Sequence, residues 1–272
     1  MTTVYDCLDP VSRREGLDAA ITAARGGRLV VLPTDTVYGI GADAFSPSAV
    51  RDLLTAKGRG PDMPVPVLVG SWATLSGLVL SIPEMARTLM EAFWPGGLSI
   101  ILEHAPSLTW NLGDTRNTVM VRMPLHPVAL ELLRGVGPMA VSSANIHGML
   151  PSTTISQAQN QLAQSVGVYL DAGPSPVGVA STIVDLTGER PLVRRIGAVS
   201  IERLRAVLPG VVVPGEDDRG ADSVGASVGE SNERESDGRS GDGPSDDGRP
   251  DLTKREPGAP TNEPDVGQAA DS

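Results

Sequence analysis

The chain has a single cysteine, Cys7. That excludes an intramolecular disulfide and any thiol cluster for zinc. Histidine is nearly as scarce: His104, His126 and His147 are scattered, without the spacing of a helical metal pair. Three Trp, three Tyr and two Phe are few for the stacking platforms that grip single-stranded nucleic acid. No run approaches the roughly 18 apolar residues of a membrane span. Met1 to Pro10 holds two acidic residues and no apolar stretch of signal-peptide length. A cytosolic protein without membrane attachment is expected. The Walker A pattern is also missing, so any ATP chemistry needs a different phosphate cradle.

What is present divides unevenly. Residues 1–213 hold 16 Lys/Arg and 17 Asp/Glu, whereas residues 214–272 hold 6 and 16, which places nearly all of the net charge of −11 at the C-terminal end. That end is rich in Gly, Ser, Asp and Pro, with few large apolar residues. Such a composition cannot offset chain entropy by burial, so residues 214–272 are expected to form a disordered acidic tail. Residues 1–213 are long enough for one domain with a sizeable core.

Within that domain, Ser12 with Glu15 suggests a capped helix that stops at Gly26-Gly27. Arg28 to Leu32 reads as a buried strand running into the oxygen-rich turn Pro33-Thr34-Asp35-Thr36. Ser46-Pro47 opens a helix that delivers Lys57 and Arg59 at its end. Further strands are predicted at 65–69, 98–102, 118–123, 139–143, 166–170, 181–186 and 192–196. Helices are predicted at 84–93, 127–134, 155–164 and 201–208. Strands and helices alternate, with some direct strand-to-strand steps, which argues for a twisted α/β sheet of mixed parallel and antiparallel direction flanked by helices.

Gly39-Ile40-Gly41-Ala42-Asp43-Ala44 fits a loose dinucleotide pattern. Its context does not: six residues separate Gly39 from Leu32, and Arg59 stands about 20 residues on, where a ribose-binding acid belongs. The more telling groups are small hydroxyls and amides beside isolated cations: Thr34, Thr36, Lys57, Arg59, Arg122, Ser142 to Asn145, Ser181, Thr182 and Arg195. Guanidinium forks suit carboxylate and phosphate, and an ammonium suits phosphate as a point charge. Taken singly, each has an ordinary account as a turn, a helix-end charge or a cap. Arg122 is the exception. It interrupts the apolar Val119-Met120-Val121…Met123 strand, where an unpaired charge is costly, so a polar partner or ligand is expected.

Six ordered segments then resemble a known family, the YrdC-like threonylcarbamoyl-adenylate synthases. They are Pro33 to Gly39, Lys57-Gly58-Arg59, Phe93-Trp94-Pro95-Gly96, Val121 to Pro124, Ser142 to Asn145, and Ser181 to Asp185. The likeness runs over about residues 10–210 and is to the short, single-domain type. It implies a concave polar site that condenses L-threonine, bicarbonate and ATP, with Mg²⁺, into threonylcarbamoyl-AMP and pyrophosphate for tRNA modification. By motif, Thr36, Arg122, Ser143 and Ser181 would hold L-threonine. Lys57, Arg59, Thr118, Asn145, Thr153 and Arg195 would surround ATP, with Lys57 and Arg59 carrying the catalytic charge. Met63, Leu68, His147 and Ile196 depart from the common pattern.

The resemblance further implies hand-off to a tRNA threonylcarbamoyl transferase complex and a weak tRNA contact. Mg²⁺ would be held mainly by ATP oxygens and water, with no protein ligand assigned. Two rivals stand beside this reading: an RNA-binding module of the same fold, and a carbamoyl-transfer relative using carbamoyl phosphate. A salt titration of tRNA binding separates the first, because phosphate contacts weaken steeply with salt. A substrate screen separates the second.

Overall fold

A computed structural model describes residues 2–214. The expected tail lies outside the described residues, apart from Pro214. Ten strands form one mixed sheet in the order β1-β8-β2-β3-β7-β4-β6-β5-β9-β10. In chain order these are β1 (Thr3–Asp6), β2 (Val30–Leu32), β3 (Gly39–Asp43), β4 (Val67–Leu68), β5 (Leu98–Glu103), β6 (Thr118–Arg122), β7 (Met139–Ser143), β8 (Val168–Asp171), β9 (Thr182–Asp185) and β10 (Leu192–Arg195). The helices are α1 (Pro10–Arg25), α2 (Pro47–Ala56), α3 (Trp72–Ser76), α4 (Glu84–Phe93), α5 (Pro127–Val136), α6 (Ile155–Leu162) and α7 (Ile201–Val207).

The α1 helix starts earlier than the Ser12 capping box suggests. Asp9 is the N-cap, accepting from the amides of Val11 and Ser12, with Pro10 in the first turn. A carboxylate ahead of a proline supplies both the acceptor and the preset φ that a helix start needs. Ser46 caps α2 as expected, and Ser200 caps α7. The glycine pattern at Gly39 and Gly41 is not a loop but part of β3, antiparallel to β7. A Cβ on Gly39 would sit 2.7 Å from Val141 Cγ1, and one on Gly41 would sit 3.0 Å from Val141 Cγ2. The two glycines therefore let β3 lie close beneath the Val141 side chain.

Because strand side chains alternate between faces, cross-strand pairing assigns each residue to one of two layers. One face presents Ile40, Val67, Val121, Ile100, Val184 and Val193 to the larger core, shared with residues of α2, α4, α6 and α7. The other presents Leu32, Val141, Met139 and Leu68, and is covered by α1 and α5 through Leu17, Ala20, Ala24, Val128, Leu132 and Leu133. The pairing continues that second face across β6, β5, β9 and β10 through Arg122, Met120, Ser99, Ile183 and Arg195. These residues line a cavity instead of helix-covered core. The site is thus the stretch of sheet that α1 and α5 leave bare.

Candidate active site

The turn after β2 does not behave as a surface loop. Thr34, Asp35 and Thr36 are all buried. Thr34 Oγ1 donates to the Val37 carbonyl at 2.6 Å and accepts from the Thr36 amide at 3.2 Å, closing the turn on itself. The amides of Val177 and Gly178 donate to the carbonyls of Asp35 and Thr36, tying in the segment that leads to β9.

Arg122 reaches this turn from the end of β6. Its Nη2 donates to Asp35 Oδ1 at 2.5 Å, its Nη1 to Thr36 Oγ1 at 2.8 Å and its Nε to the Gly96 carbonyl at 2.8 Å. Asp35 Oδ1 also accepts from the Leu125 amide at 2.9 Å. The partner that Arg122 requires is therefore Asp35, a residue the sequence reading passed over. The carboxylate inside Pro33-Thr34-Asp35-Thr36 was the available signal. Burial pushes the Arg122 pKa down, Asp35 opposes that, and nearby Arg195 adds to it.

Arg195 owes its direction to a β-bulge. Val193 pairs with Val184, but the next pair is Arg195 with Ile183, so Arg194 is the extra residue. A bulge re-aims side chains. Arg194 instead forms an ion pair with Asp185, its Nη2 2.8 Å from Oδ2, while Arg195 lines the cavity. There Arg195 donates from Nε to the Ser181 carbonyl at 3.0 Å and from Nη2 to Ser181 Oγ at 3.1 Å.

Lys57 and Arg59 follow α2, separated by Gly58 at φ +63°. A left-handed glycine here ends the helix and lets the two cations diverge. Lys57 is fully buried, and its Nζ donates to the carbonyls of Ser143 and Asn145. Burial, with Arg59 nearby, pushes its pKa down to about 7, while two carbonyl acceptors favour keeping the proton. Arg59 Nη1 donates to Ser142 Oγ at 3.3 Å, and its buried Nε has no partner. The Asn145 amide nitrogen donates to Ile146 and Met149 carbonyls, which fixes the orientation and leaves buried Oδ1 without a donor.

These elements enclose a cavity of about 390 Å³. Of the ten residues assigned to a ligand by motif, Thr36, Arg59, Arg122, Ser143, Asn145, Ser181 and Arg195 line it. Lys57 does not; it stands behind the wall, its ammonium engaged by the two carbonyls it holds. Thr118 bonds the Thr115 carbonyl at the start of β6, and Thr153 bonds Gln157, so both also lie outside the lining. Thr34 and Ser142, expected among the polar groups but assigned no ligand, also line it; Ser99 joins the wall unanticipated, along with apolar Leu68, Met120, Val141 and Ile183.

Three arginines and no Asp or Glu line the cavity. Arg195 is pushed down by burial and by Arg59, as Lys57 is, so the cations repel one another. Guanidinium stays charged in proteins, so the excess has to be met by anions from outside the wall. Among the described residues no group of three His, Cys, Asp or Glu is placed to hold a metal ion. No helix among them is long and apolar enough to cross a membrane.

A family model described as "Telomere recombination", covering Sua5, YciO and YrdC proteins, matches residues 22–197. A putative threonylcarbamoyl-AMP synthase of Mycobacterium tuberculosis is 62% identical over 208 residues, covering 76% of this chain and 96% of that protein. The threonylcarbamoyl-AMP synthase of Bacillus subtilis is 36% identical over 206 residues, covering 75% of this chain and 60% of the other. Among solved structures, P. abyssi Sua5 complexed with L-threonine superposes with a TM-score of 0.72 at 32% identity, covering 78% of this chain and 62% of that one. The chain thus spans nearly all of the mycobacterial relative and under two thirds of the other two.

Proposed function

Since the chain belongs to the Sua5/YciO/YrdC family, we propose that it is a threonylcarbamoyl-AMP synthase, joining L-threonine, bicarbonate and ATP with release of pyrophosphate. The observation that carries this reading is the cavity wall of three arginines, serine and threonine hydroxyls and an amide, with no acidic side chain. Such a wall suits several anions held together, as a carboxylate, a carbamate and a triphosphate would be.

In this reading Arg122 receives the threonine carboxylate, steadied by Asp35, with Thr36, Ser143 and Ser181 around the amino acid. Arg59 and Arg195 face the phosphates. Lys57 acts from behind by holding the Ser143 and Asn145 carbonyls in place and adding positive potential. Asn145 Oδ1 offers an acceptor to a nucleotide or amino-acid N–H or O–H. Thr118 and Thr153 would meet ATP only where it extends past the cavity wall.

The threonine amine adds to carbon dioxide drawn from bicarbonate and loses a proton, giving a carbamate. A carbamate oxygen then forms a bond to the α-phosphorus as the bond to pyrophosphate breaks. The transfer of AMP makes the enzyme a nucleotidyltransferase. No enzyme nucleophile is required, so the residues contribute positioning and charge stabilisation. Because the wall lacks carboxylates, Mg²⁺ would arrive as part of the ATP substrate and supply charge neutralisation there. The product is an activated acyl-adenylate, for transfer to tRNA by a threonylcarbamoyl transferase complex in the cytoplasm.

The test is pyrophosphate release with each substrate omitted in turn. Release should need L-threonine, bicarbonate, ATP and Mg²⁺ together, and release that ignores threonine would exclude the assignment. L-Serine should be the poorer substrate, by the roughly 1–3 kcal/mol that one methyl contributes in a fitted pocket.

A further inference from the structure

Ser99 is the one polar residue between the fully buried Leu98 and Ile100. It is 3% exposed, pairs in register with Ile183 of β9, and lines the cavity beside Ser181. Burying a hydroxyl there is unfavourable unless it bonds, and its Oγ lies 2.9 Å from Ser181 Oγ. Ser181 Oγ also accepts a hydrogen bond from Arg195 Nη2 at 3.1 Å, and the direction of that bond is fixed because guanidinium only donates.

Proton counting then leaves two arrangements. If Ser181 donates to Ser99, its single proton is spent inside the wall. If Ser99 donates to Ser181, then Ser181 Oγ fills both lone pairs, from Ser99 and Arg195, and its own proton is free for the cavity. The second arrangement fits an anion-binding site better. Ser181 is the more exposed of the two at 7%, so its proton is the one placed to reach a ligand.

We propose that Ser99 is a positioning residue for the amino-acid substrate: it donates to Ser181 Oγ and so turns the Ser181 proton toward a carboxylate or carbamate oxygen in the cavity. This rests on the synthase reading, which places the amino acid beside Ser181. Ser99 itself touches no reacting atom in this account.

The test is a double-mutant cycle on pyrophosphate release. In folded protein, Ser99→Ala should raise the KM for L-threonine about five-fold, the worth of one neutral hydrogen bond, and leave the KM for ATP unchanged. In a Ser181→Ala background the same change should alter the threonine KM by less than about two-fold, because the hydroxyl it directs is gone. Ser99→Thr, which keeps the hydroxyl, should restore wild-type behaviour. Should the alanine variant not fold, Ser99→Cys carries the same expectation, since a thiol is a weak donor. An unchanged threonine KM in folded Ser99→Ala, or an equal loss in both backgrounds, overturns the proposal while leaving the synthase reading intact. Threonine-independent release by the wild type overturns both.

Discussion

Asp35 and Arg122, 87 residues apart in sequence, form a buried ion pair with Nη2 2.5 Å from Oδ1. Three of the five guanidinium N–H groups are thereby engaged, by Asp35, Thr36 and the Gly96 carbonyl, and two remain. Two parallel donors are what a carboxylate accepts. The internal acid therefore holds the guanidinium in place without using up all of its N–H groups.

Removing Asp35 should strand a buried charge. Breaking such a pair from one side costs about 3–5 kcal/mol, so Asp35→Ala should lower the unfolding free energy by about 3 kcal/mol in urea denaturation. Adding Arg122→Met should recover part of that loss, because no charge is then left buried. A loss below about 0.5 kcal/mol for Asp35→Ala would mean that the pair has little structural role.

Arg122 and Arg59 should fail differently. Arg122→Ala, once shown to be folded, should chiefly weaken L-threonine, and Arg122→Lys should rescue only partly, since a point charge cannot supply two parallel bonds worth about 1.5–3 kcal/mol each. Arg59→Ala should raise the KM for ATP and lower turnover. Steady-state kinetics with each substrate varied will separate them. If folded Arg122→Ala keeps normal threonine dependence and loses ATP affinity, the amino acid has been placed in the wrong subsite.

Lys57 makes stability depend on pH. Its pKa falls from 10.5 in the unfolded chain to about 7 in the folded one. Between those values the unfolded state binds more protons, so this group's contribution rises with pH across that window and its burial penalty is fully present below about 7. The stability of the wild type relative to Lys57→Met should therefore climb from pH 7 toward 10, by at most about 1.4 kcal/mol per pH unit. A flat difference would show that the carbonyls of Ser143 and Asn145 keep the proton in place.

The elements legible in the sequence were those with strong local signals. Glu84–Phe93 and Met139–Ser143 fall where periodicity and apolar runs put them. β3 was hidden because Gly39 and Gly41 look like a loop, and only contact with Val141, a hundred residues on, explains them. β1 was hidden by its mostly exposed, four-residue length. In the site, motifs located the lining arginines, but no local rule distinguishes Lys57, behind the wall, from Arg59, on it. Pairings across the sheet, such as Asp35 with Arg122 and Ser99 with Ser181, exist only once the strands are in register.

The bulge in β10 has a genetic corollary. Deleting Arg194 or deleting Arg195 yields the same shortened chain, Leu-Val-Arg-Ile, because the two neighbours are identical. In that chain regular pairing puts the surviving arginine opposite Ile183, on the cavity side, and the ion pair that the second arginine makes with Asp185 is lost. A one-codon deletion should therefore leave ATP-dependent turnover largely intact, whereas Arg195→Ala, with Arg194 still present but held by Asp185, should impair it at least ten-fold, the scale of one lost charge-assisted bond. Comparing the two variants measures whether position in the strand or position in the sheet defines this residue.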